Sequence, residues 1–392
     1  MKKLPFVGRK KELTLLNELF QEKHASLASL TGRFRIGKSR LIEEFCKDKK
    51  LITLLKEEDL CLLAVLSKQK EKAVVFVDEL FELEPFLKIL PSLLRKPSKL
   101  MIIVASSSPL SLEKAFVGKF DFSLKLHLEE LSLAESNHFL EQIGFAGSTE
   151  KKLEVLSWTG GIPYYLSLTD FKSSFTEEEF YNIVLKKAGR KAALYQAILT
   201  ALSKGPLEYL EIASQIDYRS SGALSLCLEE LGLFVARDYP WCLKDGKKSE
   251  RLSKFRLKDN YLLSYLNCKG FFCSKNLQLK NLILNNRSSV FHLLGLKKEE
   301  IVREGPYFQH ETLKQEACQI DYLIQTRHRT LYACIIRYKE EEIDLSLVKN
   351  LQEILKKLIL PRGFSCNPVL IHVNGVSAEV IKSQFFFKII HF

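Results

Sequence analysis

The sequence lacks the long apolar segments and the cysteine pairs that mark several classes of protein. Its 392 residues contain no apolar run of about 18 residues, the length that spans a bilayer. The first residues, MKKLPFVGRKKEL, have no apolar segment behind the two lysines and so do not resemble a signal peptide. Nine cysteines lie between Cys46 and Cys366 without a CxxC pair, which argues against a disulfide framework and a zinc site. We therefore expect a cytoplasmic protein with reduced cysteines and no membrane contact.

The composition is that of an ordinary soluble protein with material for several cores. Apolar residues make up 46% of the chain and charged residues 27%, and the length allows about two or three domains. The net charge of +12 would suit an anionic partner such as nucleic acid. An excess of cations spread along the chain, however, identifies no partner by itself.

A phosphate-binding pattern lies near the start of the chain. The segment GRFRIGKS fits G-x-x-x-x-G-K-[ST] between a predicted strand, ASLASLTG, and a predicted helix, SRLIEEFCKDK. Such a loop turns backbone N–H groups toward phosphate oxygens, and the helix N-terminus adds a partial positive charge. We expect Lys38 to reach the β- and γ-phosphates of ATP, and the Ser39 hydroxyl to coordinate Mg²⁺. The residues expected around the nucleotide are Gly32, Arg33, Phe34, Arg35, Ile36, Gly37, Lys38, Ser39 and Arg40. The alternative is a chance glycine-rich turn.

Two acidic residues follow a short apolar run, as expected beside a phosphate-binding loop. The segment EKAVVFVDELFEL predicts a strand at residues 73–77 that is buried on both faces of a parallel sheet and ends in Asp78 and Glu79. Ligands of open α/β sheets bind at the carboxyl edge of the strands. We therefore expect Asp78 to hold Mg²⁺ through water and Glu79 to polarise the attacking water.

A third apolar run, LMIIVASSS, predicts the neighbouring strand and brings Ser106 and Ser107 to the same edge. Either hydroxyl could contact the γ-phosphate or the attacking water. We assign a catalytic role to Ser106, together with Lys38 and Glu79. The alternative is a serine-rich turn without a role in catalysis.

Five motifs in this order resemble the archaeal-type ATPases of the STAND and AAA-type superclass of P-loop proteins. They are FVGRKKEL, GRFRIGKSRL, VVFVDEL, the segment of Ser106 and Ser107, and TGGIPYYL, and they span nearly the first half of the chain. The resemblance implies two further groups of residues around the nucleotide: Phe6, Gly8 and Arg9 against the adenine, and Gly161 and Pro163 closing the site from a helical lid.

Two departures from that family concern the sheet and the rate of hydrolysis. Only the segment KKLITLLKEEDLCLLAVLSKQKEK separates the phosphate-loop helix from the Asp78 strand. This length allows one strand and one helix, and so predicts a reduced sheet. Where the family often has a Gly-Arg pair, this chain has Gly118 and Lys119. Lysine keeps the charge but lacks the bidentate fork that stabilises a phosphoryl transition state, so we expect slow hydrolysis.

The segment after the predicted lid resembles a winged helix-turn-helix. Three short predicted helices, from KAALYQAILTALSKGP to SSGALSLCLEELGLF, precede two predicted strands around a charged turn. This turn and the strand after it hold a basic strip whose cations are Lys244, Lys247, Lys248, Arg251, Lys254, Arg256 and Lys258. The strip could meet nucleic-acid phosphates, or it could be a solvated hairpin in a module used for interdomain contact. The third helix carries Glu229 and Glu230 and no side chain suited to base edges, so we expect no sequence-specific reading.

The last third of the chain contains a predicted hairpin, QIDYLIQTRHRTLYACIIRYKEEEI, that resembles the core of restriction-endonuclease-like domains. Nuclease-competent members of that family place an Asp and an E-x-K triplet around Mg²⁺. Here Asp321 survives, but Ile335 and Arg337 occupy the acidic and lysine positions of the triplet. One carboxylate cannot build that metal site, so we expect a degenerate nuclease fold kept for packing or binding. The glutamates at 340–342 are expected in a solvated turn.

These inferences predict an α/β protein: a P-loop NTPase parallel sheet with a helical lid, a winged helix-turn-helix, and a small nuclease-like α/β domain. The expected boundaries are residues 1–130 for the ATPase core, 131–187 for the lid, 188–262 for the winged helix and 276–392 for the carboxyl-terminal domain. The predicted function is an Mg²⁺-dependent ATPase that acts as a nucleotide-driven switch with slow turnover. The alternative is a nucleic-acid-associated binding protein whose nucleotide site is vestigial.

Overall fold

The computed structural model of the chain consists of two compact units. It describes residues 4–54, 72–79, 84–95, 99–168, 176–186, 188–218, 221–250, 252–268, 275–313, 315–338, 341–373 and 375–392. Unit 1 comprises Met1–Ala146 and Gly161–Phe171, and unit 2 comprises Gly147–Gly160 and Lys172–Phe392. The segment expected as a lid is therefore divided between the two units. Within the described residues, no helix is long and apolar enough to cross a membrane.

Unit 1 alternates strands and helices. Its strands, in chain order, are β1 Ser26–Gly32, β2 Leu51–Leu54, β3 Ala73–Asp78, β4 Leu100–Ser106 and β5 Leu124–Leu128. Its helices are α1 Lys10–Gln21, α2 Lys38–Phe45, α3 Glu84–Leu94, α4 Pro109–Phe116, α5 Leu133–Gln142 and, after α6 of unit 2, α7 Pro163–Leu166. The predicted α/β class is confirmed for this unit.

The strands of unit 1 form one parallel sheet in the order β2-β3-β4-β1-β5. Strands β3 and β4 are runs of apolar residues that are buried almost throughout, because helices cover both faces of such a sheet. In the register of the sheet, Thr31 lies opposite Ser106 and Asp78 lies opposite Ala105. The loops after β1, β3 and β4 therefore meet at one carboxyl edge. Strand β2 accounts for the strand predicted before Ala73. The helix predicted in the same segment cannot be placed, because residues 55–71 lie outside the described residues.

One hydrophobic core lies between this sheet and helices α3 and α4. Val75, Ile102 and Val104 of the sheet pack in it with Phe86 of α3 and Phe116 of α4, and all five are almost fully buried. This core holds β3 and β4 in place and so fixes where their carboxyl ends lie.

Unit 2 combines helices with two smaller sheets. Its helices are α6 Thr149–Thr159, α8 Glu177–Phe180, α9 Ala192–Leu202, α10 Tyr209–Gln215, α11 Ser221–Glu230, α12 Asn260–Cys268, α13 Lys275–Asn285, α14 Arg287–Leu294, α15 Leu345–Lys357 and α16 Ala378–Lys382. A π turn, Tyr181–Leu185, and two 3₁₀ turns, Gly189–Lys191 and Lys298–Glu300, complete the helical part. Its strands are β6 Leu207–Glu208, β7 Val235–Asp238, β8 Lys254–Leu257, β9 Ile301–Gln309, β10 Cys318–Thr326, β11 Thr330–Arg337, β12 Ser365–His372 and β13 Lys388–His391.

The first sheet of unit 2 is antiparallel, with the order β6-β8-β7. In the chain, β6 lies between α9 and α10, whereas β7 and β8 follow α11. The second sheet has the order β13-β12-β11-β10-β9; β9, β10 and β11 are antiparallel, whereas β12 and β13 run parallel to β11. The hairpin predicted between residues 319 and 343 corresponds to β10 and β11, and its second strand ends at Arg337. Glu341 and Glu342 beyond it are exposed, and position 340 lies outside the described residues.

The loop between β7 and β8 is docked on the second sheet of unit 2. The indole of Trp241 is 5% exposed and packs against Tyr307 of β9, with ring centroids 5.0 Å apart. Trp241 Nε1 donates to Gln325 Oε1 at 2.9 Å, and Gln325 Nε2 donates to the Leu243 carbonyl at 2.7 Å. Each buried polar group thus finds its partner in the other segment. The loop is therefore docked at Trp241 and Leu243, whereas Lys244, Lys247 and Lys248 stay exposed to solvent.

Candidate functional site

The segment predicted as a phosphate loop connects the end of β1 to the start of α2. Gly37 precedes α2 with φ of 97°, in the left-handed region where glycine is favoured. Gly32 has φ of 150°, and a Cβ atom there would lie 2.8 Å from the Leu128 carbonyl oxygen. Gly37 therefore allows the left-handed turn before α2, and Gly32 allows the chain to pass close to β5.

Lys38 points back across this loop. Its Nζ donates to the carbonyl oxygens of Gly32 at 3.0 Å and Arg33 at 3.3 Å, and lies 3.1 Å from Glu79 Oε1. The side chain is only 6% exposed, and a buried ammonium needs such partners because burial removes its hydration. The lysine is thus held at the mouth of the loop, beside the end of β3.

Ser39 and Asp78 bring a hydroxyl and a carboxylate together. Ser39 Oγ donates to Asp78 Oδ2 at 2.7 Å, which joins the first turn of α2 to the end of β3. Oxygen donors of this kind are what Mg²⁺ prefers, and protein sites for it commonly use one or two carboxylates together with ligand phosphates and water. Among the described residues there is no cluster of three or more His, Cys, Asp or Glu side chains suited to a metal. The pair fits Mg²⁺ shared with a phosphate ligand, not a metal held by protein groups alone.

Glu79 follows β3 with a left-handed backbone, φ 53°. Its backbone N–H donates to the Ala105 carbonyl at 3.2 Å, and its Oε2 accepts from Ser107 Oγ at 3.1 Å. Ser106 behaves differently, because its Oγ accepts from the Ser108 N–H at 3.0 Å within its own turn. Of the two serines, the one that contacts the predicted catalytic carboxylate is Ser107, not Ser106.

A cavity of about 340 Å³ in unit 1 collects most of the predicted residues. Those that line it are Phe6, Arg9, Phe34, Arg35, Ile36, Gly37, Lys38, Ser39, Arg40, Asp78, Glu79 and Pro163. Lys38, Ser39, Asp78 and Glu79 stand at the sheet edge, whereas Phe6 and Pro163 belong to a largely apolar part of the wall. The cavity therefore offers a charged end and an apolar end.

Six predicted residues do not line this cavity: Gly8, Gly32, Arg33, Ser106, Ser107 and Gly161. A Cβ atom at Gly8 would lie 2.3 Å from Glu135 Oε1, so this glycine allows the chain to pass close to α5. The side chain of Arg33 is buried, with its guanidinium carbon 5.3 Å from the centre of the Tyr165 ring. Gly8 and Arg33 therefore contribute to the packing around the cavity and not to its surface.

Sequence reasoning missed several residues of the wall. Leu4, Pro5, Val7, Leu131, Phe139 and Tyr164 also line the cavity. The guanidinium carbon of Arg35 lies 4.0 Å from the centre of the Tyr164 ring, a close cation–π contact between the loop and the start of α7. The only sequence signal for Tyr164 was its place directly after Pro163 in TGGIPYYL.

Arg9 is fixed at the apolar end by backbone and acidic partners. It precedes α1 with φ of 61°, donates through Nη2 to the Glu129 carbonyl at 2.6 Å and lies 3.6 Å from Glu12. Burial lowers the pKa of its guanidinium, and the nearby carboxylates of Glu12 and Glu135 oppose that shift. The residue stays charged, because its ordinary pKa lies far above neutrality.

Lys119, which stands where the related ATPases often have arginine, is turned away from the cavity. Its Nζ lies 3.1 Å from Glu84 Oε1, and both side chains are largely exposed. It is absent from the lining of the cavity. Among the described residues of unit 1, Lys119 makes no contact with the charged residues at the sheet edge.

The carboxylate of Asp321 in unit 2 has cationic partners on both oxygens. Lys280 Nζ lies 2.6 Å from Oδ1, Arg337 Nη1 donates to Oδ2 at 2.7 Å, and the Ile336 N–H donates to Oδ2 at 3.0 Å. Ile335 is buried in the apolar core of this sheet. The expectation that these positions do not form a nuclease metal site agrees with this geometry.

The basic strip predicted between residues 244 and 258 is not one surface. Arg256 is buried, and its Nε donates to Asp238 Oδ2 at 2.8 Å while its Nη1 donates to Asn281 Oδ1 at 3.0 Å. Lys254 lies over the Phe308 ring, 5.2 Å from its centre. Lys244, Lys247 and Lys248 are exposed, and position 251 lies outside the described residues. The strip as a continuous phosphate-binding surface is therefore wrong, because Arg256 is used inside the fold.

Comparison with known proteins relates the chain to an ATP-binding protein and to a Walker-type ATPase. The chain matches no family model. Over 46 residues, which are 12% of this chain and 78% of the relative, it is 46% identical to an uncharacterized ATP-binding protein of Methanocaldococcus jannaschii. The structure of the Walker-type ATPase of Pyrococcus abyssi aligns with 67% of this chain and 96% of its own, with a TM-score of 0.51 and 15% identity. That likeness shows a shared fold.

A signal-transduction ATPase of the STAND class from Pyrococcus horikoshii, which carries a tetratricopeptide repeat sensor, also aligns. It covers 74% of this chain and 45% of its own, with 15% identity and a TM-score of 0.33, which is too low to establish a common fold.

Proposed function

Because the chain belongs to the family of the ATP-binding protein from Methanocaldococcus jannaschii that it matches, we propose that unit 1 is an Mg²⁺-dependent ATPase. In this proposal the bound nucleotide sets the state of the protein, and turnover is slow. One observation carries the proposal: Lys38, Ser39, Asp78 and Glu79, from two separate motifs, converge at one end of a single cavity. A vestigial site would have little reason to keep all four groups in contact.

The charged end of the cavity supplies groups for phosphate and metal. Lys38 exchanges its contact with Glu79 for the β- and γ-phosphates, which offer it stronger charge complementarity. Ser39 and Asp78 would hold Mg²⁺, which would supply positive charge against the phosphates. The loop N–H groups and the N-terminus of α2 face the same anion.

Glu79 then orients and polarises the attacking water. Its release from Lys38 leaves a carboxylate that Ser107 still holds through its 3.1 Å hydrogen bond. We therefore assign to Ser107 the positioning role that the sequence had suggested for Ser106, whose hydroxyl closes its own turn. The left-handed backbone at Glu79 sets the direction of the side chain.

The apolar end of the cavity suits a purine base. Phe6, Val7, Leu131, Phe139 and Pro163 present apolar surface there, and a largely apolar pocket with a few polar groups is typical of nucleotide sites. Slow turnover follows from the position of Lys119, which is paired with Glu84 and does not line the cavity. Transfer of the γ-phosphoryl group should therefore proceed without the stabilisation that an arginine at that position would give the transition state.

For the rest of the chain we propose the domains that the sequence predicts. Residues 188–262 contain three helices, the strand β6 between the first two of them, and the strands β7 and β8 after the third, and they fit a winged helix-turn-helix. Residues 276–392 fit a nuclease-like fold that has lost its metal site, with Asp321 paired to Lys280 and Arg337. We retain 1–130 for the ATPase core and 131–187 for the lid.

The experiment that tests this proposal measures ATP binding and phosphate release by the purified chain, with Mg²⁺ and with Mg²⁺ chelated. We expect saturable Mg·ATP binding and hydrolysis below the ~1 s⁻¹ end of the usual enzyme range. Absence of ATP binding in the presence of Mg²⁺ would refute the function. Binding without any hydrolysis would reduce it to a nucleotide-binding switch.

A further inference from the structure

A second cavity lies in unit 2, between the docked β7–β8 loop and strand β9. Its volume is about 370 Å³, within the range of ordinary ligand sites, ~300–1,000 Å³. Its charged lining residues are the cations Arg237, Lys248, Arg287 and Arg303 and the acids Asp238 and Glu304. We refer to this space as the basic cleft.

The two acids of the basic cleft already have cationic partners. Asp238 accepts from the buried Arg256 at 2.8 Å, and Glu304 lies 2.7 Å from Arg287. Arg237, Lys248 and Arg303 have no carboxylate partner in the part of the chain that the structure describes. Three cations thus surround a concave space without a compensating charge.

Uncharged contacts hold these three cations in place. Arg237 Nε donates to Ser253 Oγ at 2.8 Å, and its guanidinium carbon lies 5.0 Å from the centre of the Tyr239 ring. Lys248 Nζ lies 4.9 Å from the centre of the same ring. Arg303 Nε donates to the Gly246 carbonyl at 3.1 Å. These contacts orient the cations but leave their charge available to a ligand.

Like charges held around a concavity repel one another, and an anion with several oxygen atoms placed between them removes that repulsion. Guanidinium groups match the geometry of phosphate oxygens. We propose that the basic cleft is a phosphate-binding site, which takes the phosphates of a nucleic-acid backbone or of a small phosphorylated molecule.

This site differs from the basic strip expected from the sequence. Among the described residues of the strip, Lys248 alone lines the cleft; Lys244 and Lys247 lie outside it, although they are exposed on the same loop. Arg237 comes from β7 and Arg303 from β9, and docking of the loop on the second sheet brings them together. The inference does not depend on nucleotide chemistry in unit 1.

The test compares two charge reversals on the same loop of the full-length chain. Lys248→Glu changes the cleft, whereas Lys244→Glu makes the same change of net charge outside it. Anisotropy of labelled single-stranded and duplex DNA is measured over a range of salt. We expect Lys248→Glu to weaken binding about tenfold at low salt and to reduce the log–log salt slope by roughly 0.7 to 0.9, the loss of one phosphate contact. Lys244→Glu should leave affinity and slope close to wild type.

A second arm distinguishes a small phosphorylated ligand. Calorimetric binding of pyrophosphate is measured in a Lys38→Ala background, which weakens the phosphate loop of unit 1, with and without Lys248→Glu or Arg303→Gln. A loss of affinity caused by the cleft substitutions belongs to the basic cleft, because the background is common to all proteins compared. Lys248→Arg keeps the charge and should retain binding, which separates loss of charge from loss of fold.

Each outcome decides the proposal. DNA binding that Lys248→Glu weakens and Lys244→Glu spares supports a nucleic-acid backbone as the source of the phosphates. Pyrophosphate binding that both cleft substitutions reduce, without DNA binding, supports a small phosphorylated ligand. Binding of neither probe, binding that the cleft substitutions leave unchanged, or equal losses in the Lys244 and Lys248 variants would overturn it.

Discussion

Strand β3 of unit 1 ends at two carboxylates and strand β10 of unit 2 carries one, and the two places have different surroundings. In unit 1, Asp78 and Glu79 meet a hydroxyl and one lysine on the wall of a cavity. In unit 2, the single carboxylate of Asp321 is held by Lys280, Arg337 and a backbone N–H. The first arrangement can exchange its internal contacts for a ligand and a metal, whereas the second satisfies its charge within the protein. What separates a proposed site from a structural ion pair is therefore the partners of the carboxylate.

The largest expected effect comes from a change in the predicted phosphate loop of unit 1. Lys38→Ala should abolish Mg·ATP binding, weakening it by about two to four orders of magnitude, because it removes charged hydrogen bonds to the phosphates. Equilibrium binding of a fluorescent ATP analogue measures this. Lys47→Ala is the matched control, since Lys47 is 60% exposed and pairs with Glu44. Equal affinity of the two variants would contradict the assignment of the loop.

Glu79→Gln should separate binding from chemistry. The amide keeps the size of the side chain but carries no negative charge with which to polarise water. Hydrolysis should therefore fall by about 10²–10⁴-fold, while ATP binding stays near wild type. Phosphate release under saturating Mg·ATP gives the rate. Glu113→Gln serves as the control, because Glu113 is exposed on α4 and does not line the cavity. Unchanged hydrolysis in the Glu79 variant would remove this residue from the mechanism.

Asp321→Ala tests whether the carboxylate of unit 2 has a structural role. The substitution leaves Lys280 and Arg337 close together without a shared carboxylate, so the free energy of unfolding should fall by about 1–3 kcal/mol. Urea denaturation measures the change, and Glu316→Gln, in an exposed pair with Lys357, should have little effect. Purified protein should not cut DNA in Mg²⁺ or Mn²⁺. Metal-dependent cleavage that Asp321→Ala removes would show that Asp321 has a catalytic role after all.

The smallest effect sharpens the choice between two neighbouring hydroxyls. Ser107→Ala removes the hydrogen bond to Glu79 and should lower turnover by about two- to tenfold, the range of one hydrogen bond. Ser106→Ala should change turnover less, because this hydroxyl bonds within its own turn. Turnover numbers of both variants at saturating Mg·ATP decide the matter. A larger loss in the Ser106 variant would restore the role that the sequence suggested.

The sequence was most informative where function depends on a short continuous segment. The phosphate loop, the apolar strand before Asp78 and the parallel sheet all follow from local patterns of glycine, charge and buried residues. Roles that depend on one hydroxyl among several could not be assigned, because Ser106 and Ser107 are equivalent by type and differ only in their direction.

Contacts between distant segments had no signature in the sequence. The pairing of Lys280 with Asp321, the stacking of Arg35 on Tyr164 and the bond from Trp241 to Gln325 each join segments far apart in the chain. Periodicity and short motifs describe neighbours along the chain and carry no information about which surfaces meet. For this reason the basic strip looked continuous in sequence, although the fold buries Arg256.

The docking of Trp241 gives the protein an optical reporter for one unit alone. The chain has two tryptophans, Trp158 in α6 and Trp241, and both belong to unit 2. Intrinsic emission therefore follows unit 2 and carries no direct signal from the strands around the cavity of unit 1. Because the Trp241 indole is 5% exposed, its emission should shift to longer wavelength when the β7–β8 loop leaves the second sheet. Recorded beside circular dichroism during denaturation, this shift would time the release of the loop separately from the melting of the parallel sheet.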